Sequence, residues 1–120
     1  MNPDLNNSDS DYGVEVSTYK NYVLISFINY HKLDLYNSRD LAEVFKVQNE
    51  NGSEDIVIDM SPIQYIDSSG LGTLATQGML LSKKNKRLNL LNITHGVSHL
   101  FKASGFDRMF KLFTNKEQLP

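Results

Sequence analysis

The residues best suited to chemistry in this chain are Asp67-Ser68-Ser69-Gly70-Leu71-Gly72. They follow an apolar run at residues 56–58 that ends at Asp59 and, shortly after, at Pro62. Aspartate and serine satisfy the free N–H groups at a helix start, and the two glycines leave the first turn almost bare. A carboxylate and two hydroxyls thus stand on a smooth helix N-terminus close after a buried strand. In open α/β sheets that is where ligands and partners bind. Two readings compete. In one, the segment is a helix cap with glycines for close packing. In the other, a serine is a regulatory acceptor. The helix dipole and free N–H groups stabilise an anion there. A phosphate would then add about −1.5 to −2 charges with little effect on the domain.

Other chemistries fit less well. A hydrolase elbow needs Gly-x-Ser-x-Gly and a His/acid pair. Here Ile66 and Asp67 precede Ser68, and no base is evident. Gly-Leu-Gly-Thr at 70–73 lacks the lysine and spacing of a phosphate-binding loop. His95 and His99 stand four apart without a glutamate between them or a third ligand, and read as solvated histidines. Without cysteines there are no disulfides, thiol nucleophiles or thiolate metal sites, in keeping with a reducing cytoplasm. Asp34 reads as an Asx-turn or helix-entry residue. If the strands at 22–28 and 56–59 are parallel neighbours, Asp34 and Ser68 come to the same sheet edge.

The chain has 120 residues, 40% apolar and 22% charged, as expected of one soluble domain. No stretch approaches a membrane span of about 18 apolar residues, and the polar start is not a signal peptide. The net charge of −2 argues against a nucleic-acid binder. Residues 1–60 carry −7 and residues 61–120 carry +5. Much of that excess is Lys83, Lys84, Lys86 and Arg87, a solvated helix end where cations suit the dipole.

The elements that position these residues follow from periodicity. Residues 1–11 are Asn/Asp/Ser-rich and read as a disordered tail, leaving residues 12–120 as one domain. Val14, Val16 and Thr18 alternate with polar residues, Lys20-Asn21 suits a turn, and residues 22–28 form a second strand of a hairpin. Leu41, Ala42, Val44 and Phe45 predict a helix from near Ser38 that ends before the stop signal Asn51-Gly52. Residues 56–59 form a strand buried on both faces. The helix from Ser68 should bury Leu71, Leu74, Ala75, Gly78 and Met79. A strand at 88–93 follows, then a helix capped by Thr94 and stopped at Gly105, then a strand at 109–113. Thr114-Asn115-Lys116-Glu117 has the form of a capping box. The order β-β-α-β-α-β-α-β implies an α/β fold. Its sheet is mostly parallel, with an antiparallel N-terminal hairpin strand and a right-handed βα superhelix.

Ile66-Asp67-Ser68-Ser69-Gly70-Leu71-Gly72 closely resembles the signature of the bacterial STAS-domain anti-sigma factor antagonists. Leu33-Asp34-x-x-Asn37-Ser38 resembles that family's Leu-Asp-x-x-(Asn/Thr)-Ala element. Val97-Ser98-His99-Leu100-Phe101-Lys102-Ala103-Ser104-Gly105-Phe106 resembles its later (Val/Ile)-x-x-(Leu/Ile)-Phe-x-x-(Ser/Thr)-Gly-(Leu/Phe) segment. The three matches fall in order over about residues 14–113. The resemblance implies a STAS-like fold and a cytoplasmic, non-enzymatic, partner-switching phosphoprotein in transcription regulation. Its partner would be an anti-sigma factor serine kinase that phosphorylates Ser68, with a phosphatase to reverse the step. Ser68 aligns with the family's phosphorylated serine, and Asp34 with its loop aspartate. The implied docking surface is Asp34, Asp67, Ser68, Ser69, Gly70 and Gly72, on a monomer or weak dimer with no cofactor, metal, nucleic acid or membrane. Two departures stand out. His31 replaces the glycine usual two residues before the Leu-Asp pair, and the capping-box segment reaches Leu119-Pro120 where the family has a fourth helix. The rival readings are a STAS accessory subunit of a lipid-transport ATPase and a serine hydrolase using Ser68.

Overall fold

A computed structural model describes residues 12–51 and 55–119. The proposed tail and the Gly52 stop signal lie outside these residues. Strand β1 (Gly13–Thr18) pairs antiparallel with β2 (Tyr22–Ile28), with Gly13 opposite Ile28 and Thr18 opposite Val23. Three parallel neighbours follow in the same sheet: β4 (Asp55–Asp59), β6 (Leu88–Leu91) and β7 (Phe110–Phe113). The order is β1-β2-β4-β6-β7. The helices are α1 (Leu35–Asn51), α2 (Ser68–Ser82) and α3 (His95–Ser104). The hairpin, the parallel remainder and the element order agree with the sequence reading.

The strand order never reverses after β2, so every crossover advances the sheet in one direction. Crossovers of one hand then drop their helices on one face. The main core shows this. Leu41 and Phe45 of α1, Leu74 and Leu81 of α2, and Val97 and Phe101 of α3 pack with Ile25, Ile58 and Leu90 of the sheet. The opposite face holds a separate cluster of Leu24, Val57, Leu91 and Phe113, with Tyr22 and Leu119 against it. Strand β4 is buried on both faces, which explains its unbroken apolar run. An unreversed order also leaves no switch-point crevice of the doubly wound kind.

Three asparagines punctuate the fold. Asn29, Asn85 and Asn92 all have positive φ, 61°, 60° and 57°. Asparagine tolerates that region better than other non-glycine residues. Asn92 ends β6 at Leu91, two residues earlier than the hydropathy run predicts. Asn29 turns the chain out of β2 into an element the sequence did not reveal. This is β3 (Lys32–Leu33), which pairs in parallel with another short strand, β5 (Tyr65–Ile66).

Three further expectations are corrected. The buried face of α2 is Gly70, Leu74, Gln77, Gly78 and Leu81. Met79 is exposed, and Leu71 and Ala75 are only half-buried. The stripe is rotated because Gln77 faces α1, where Asn49 exchanges two hydrogen bonds with it, both at 3.3 Å. Thr94 occupies the N-cap position of α3, but its hydroxyl donates to the Ile63 carbonyl at 2.9 Å instead of capping. In the C-terminal segment Asn115, not Thr114, caps a short 3-10 helix (Lys116–Gln118), accepting from the Glu117 N–H at 3.0 Å. The Gln118 side chain accepts from the Thr114 N–H at 2.8 Å. No helix among the described residues is long and apolar enough to cross a membrane.

Candidate functional site

The short β3–β5 ladder brings the two candidate segments together. Leu33 lies opposite Ile66, and the Asp67 N–H donates to the Leu33 carbonyl at 3.0 Å. One step earlier the Gln64 N–H donates to the His31 carbonyl at 2.7 Å. Because the ladder is parallel, both chains leave it at the same end. Each then enters a helix whose first free N–H groups are met by an aspartate.

On the first arm that residue is Asp34. Its Oδ1 accepts from the Tyr36 N–H at 3.0 Å and the Asn37 N–H at 3.1 Å. Asn37 reciprocates, with Oδ1 accepting from the Asp34 N–H at 2.7 Å and Nδ2 donating to the Lys32 carbonyl. This is a capping box built from Asp and Asn. It starts α1 at Leu35, three residues before the start expected near Ser38, where apolar periodicity first becomes visible. The second Asp34 oxygen lies 3.7 Å from Lys32 Nζ, an ion pair largely open to water and of small energetic weight. Asp34 therefore keeps the helix-entry role and shares its edge with Ser68.

On the second arm Asp67 is the N-cap, with extended backbone, and its Oδ1 accepts from the Gly70 N–H at 3.0 Å. Ser68, the first helical residue, is exposed, and Ser69 is half-buried. Among the described residues nothing hydrogen-bonds the Ser68 hydroxyl. The two glycines separate in role. A Cβ on Gly70 would lie 2.6 Å from the Leu33 carbonyl oxygen and 2.7 Å from Leu33 Cγ. Gly70 faces inward and lets α2 sit against β3, which corrects its expected place on the docking surface. Gly72 is exposed, and a Cβ there would meet nothing within 4 Å.

The site has two shoulders. On the α1 side, a groove of about 610 Å³ runs from Ser69 and Gly72 past Thr73 and Thr76 to Leu80, with Phe45 and Lys46 opposite. On the α3 side, a groove of about 590 Å³ is lined by Tyr65, Asp67, Ser68, Leu71, His99 and Leu100. Large apolar side chains stand exposed around both helix starts: Leu35 at 49%, Tyr36 at 78% and Tyr65 at 61%. Sequence reasoning missed these three, since exposure is not visible before the helix start and β5 are placed. Nearby, Tyr30 donates to Asp40 Oδ2 at 3.4 Å. Burial, and then the Asp40 charge, raise its phenol above the usual tyrosine range. The two histidines stack with ring centroids 6.3 Å apart, and no group of three metal-binding side chains occurs among the described residues.

The STAS domain family model matches residues 15–119. The chain is 30% identical to the anti-sigma-B factor antagonist of Staphylococcus aureus over 74 residues, 62% of this chain and 68% of that protein. An anti-sigma factor antagonist (STAS) domain protein from Planctomyces limnophilus has the same fold, with a TM-score of 0.78 at 14% identity over 88% of this chain and 93% of that one. SpoIIAA from Bacillus, a cell fate determinant solved in its phosphorylated form, matches with a TM-score of 0.66 at 20% identity, covering 88% and 95% of the two chains. The match begins within β1 and runs through all three helices to the last 3-10 turn, and it includes both capping aspartates. The chain therefore belongs to the STAS-domain family of anti-sigma factor antagonists.

Proposed function

We propose that this chain is a phosphorylation-controlled binding switch. Unphosphorylated, it binds an anti-sigma factor that is also a serine kinase, and so frees a sigma factor. Transfer of phosphate to Ser68 breaks the complex, and a phosphatase restores it. The kinase brings ATP and magnesium. The docking surface is the edge where α1 and α2 begin: Asp34, Asp67, Ser68, Ser69 and Gly72, framed by Leu35, Tyr36 and Tyr65. Exposed aromatic and aliphatic side chains around a small bare turn suit a protein partner.

The observation that carries this reading is the division of labour at the start of α2. Asp67 caps the helix and Gly70 packs it, so the exposed hydroxyl of Ser68 has no structural task. The same hydroxyl lacks a hydrogen-bonded base among the described residues, which suits an acceptor presented to another protein's active site better than a nucleophile of its own. The test is to incubate the protein with the kinase-type anti-sigma factor of its organism and ATP, then locate the phosphate by mass spectrometry. Ser68→Ala should abolish labelling and Ser69→Ala should leave most of it. Labelling that survives Ser68→Ala would refute the assignment.

A further inference from the structure

Ser68 and Ser69 face different grooves. Ser69 lines the groove toward α1, with Gly72, while Ser68 lines the groove toward α3, with Asp67, Tyr65, Leu71 and His99. Among the described residues lining the α3-side groove, His99 is the only one that can carry positive charge. It is exposed, and it sits one turn into α3. Helical side chains lean toward the helix N-terminus, so His99 leans toward the start of α3. The start of α3 is held there. Thr94 bonds the Ile63 carbonyl, and a Cβ on Gly96 would stand 3.4 Å from the Gln64 carbonyl oxygen, in the loop that leads into Ser68.

We infer that a phosphate on Ser68 is held in the groove between α2 and α3 by the imidazolium of His99. The inference builds on Ser68 as the acceptor and adds how the phosphorylated state is held. Asp67 lines the same groove, but its carboxylate is held on the Gly70 N–H, which leaves His99 as the one cation lining the groove to meet the phosphate. His95 stacks on His99 from outside the groove. Phosphorylation then does more than add charge to a docking surface. It ties α2 to α3 on the shoulder away from α1, so a phosphatase meets a different surface from the one offered to the kinase.

The experiment installs phosphoserine at position 68 of the full chain by semisynthesis, so that no kinase is needed. The 31P resonance is then titrated by pH. The midpoint of the phosphate's second ionisation, ordinarily about 6, should lie lower in the chain carrying His99 than in His99→Gln, by about 0.5 unit or more. His99→Lys should restore most of the difference because it keeps a cation in place. His95→Gln should leave the midpoint unchanged, since His95 lines the groove on the far side of α3. Equal midpoints with and without His99 would overturn the inference. So would an equal effect from His95→Gln, which would mean a diffuse field rather than a contact. Neither result bears on whether a kinase modifies Ser68, which the labelling experiment decides separately.

Discussion

Two glycines, two residues apart in one helix turn, should respond to alanine with opposite signs. At Gly70 the added Cβ would lie 2.6 Å from the Leu33 carbonyl oxygen, 2.7 Å from Leu33 Cγ and 3.0 Å from Ile66 Cγ2. The first of these is backbone of the ladder that holds both helix starts, so it cannot swing aside as a side-chain tip would. Overpacking of this kind costs about 1–3 kcal/mol, against a helix-propensity gain of about 1 kcal/mol for replacing glycine. An approach of 2.6 Å to backbone puts the cost in the upper part of that range, so Gly70→Ala should lose about 1–2 kcal/mol. At Gly72 the Cβ meets nothing within 4 Å, so Gly72→Ala should gain about 0.5–1 kcal/mol. The two variants should differ by about 1.5–3 kcal/mol, on the order of 10 °C in Tm for a domain of this size. Thermal and urea unfolding of the two proteins side by side measure it. If Gly70→Ala is as stable as wild type, the contact with Leu33 is not what requires glycine. If Gly72→Ala loses more than about 1 kcal/mol, Gly72 belongs to the fold and not to the surface.

Three further outcomes follow from the same geometry. Ser68→Asp should keep its Tm, since a carboxylate at a helix start gains about 0.3–1 kcal/mol. A loss of about 4 kcal/mol against the anti-sigma partner should weaken binding about a thousandfold, and calorimetry reads both quantities. Asn37→Ala removes the partner of the part-buried Asp34 N–H and Lys32 carbonyl and should cost about 1 kcal/mol or more in urea unfolding. Asn49→Ala and Gln77→Ala should each destabilise. Their double variant should lose less than the sum, with a coupling of about 0.5–1.5 kcal/mol in a double-mutant cycle.

The long elements were legible because their periods are long enough to count. Strand β2 was read to the residue, and α2 was read to its first residue because Asp67-Ser68 carries the cap chemistry openly. The short ladder was not legible. Lys32-Leu33 and Tyr65-Ile66 are two residues each, too few to show alternation, and their pairing is fixed by the folded chain around them. That omission hid the closest relation in the site, the Asp67 N–H on the Leu33 carbonyl, and with it the reason for Gly70. The start of α1 was placed late for a related reason. Asp34-x-x-Asn37 caps as well as a Ser-x-x-Glu box, but the two residues it encloses, Leu35 and Tyr36, are exposed and break the apolar pattern. Gln77 was missed because a polar side chain on a buried face is revealed only by its partner, and Asn49 lies 28 residues away.

A switch on a helix start faces a conflict, since the group that changes charge there is normally the group that caps. This fold separates the two tasks by one residue. Asp67 takes the Gly70 N–H, and its backbone N–H is fixed to β3, so the cap survives whatever happens to Ser68. The first N–H groups of α2 have no partner within the helix and remain available to an anion. Were Ser68 itself the cap, a phosphate would have to displace the hydrogen bond that starts the helix, and binding and folding would change together. With the carboxylate one position earlier, the modification can act without disturbing the cap. On this reasoning Asp67→Ala is the substitution that should couple the two. With the cap removed, at a cost of about 1 kcal/mol, phosphorylating Ser68 should raise Tm, because the phosphate then supplies the missing acceptor. With Asp67 present, the rise in Tm should be clearly smaller.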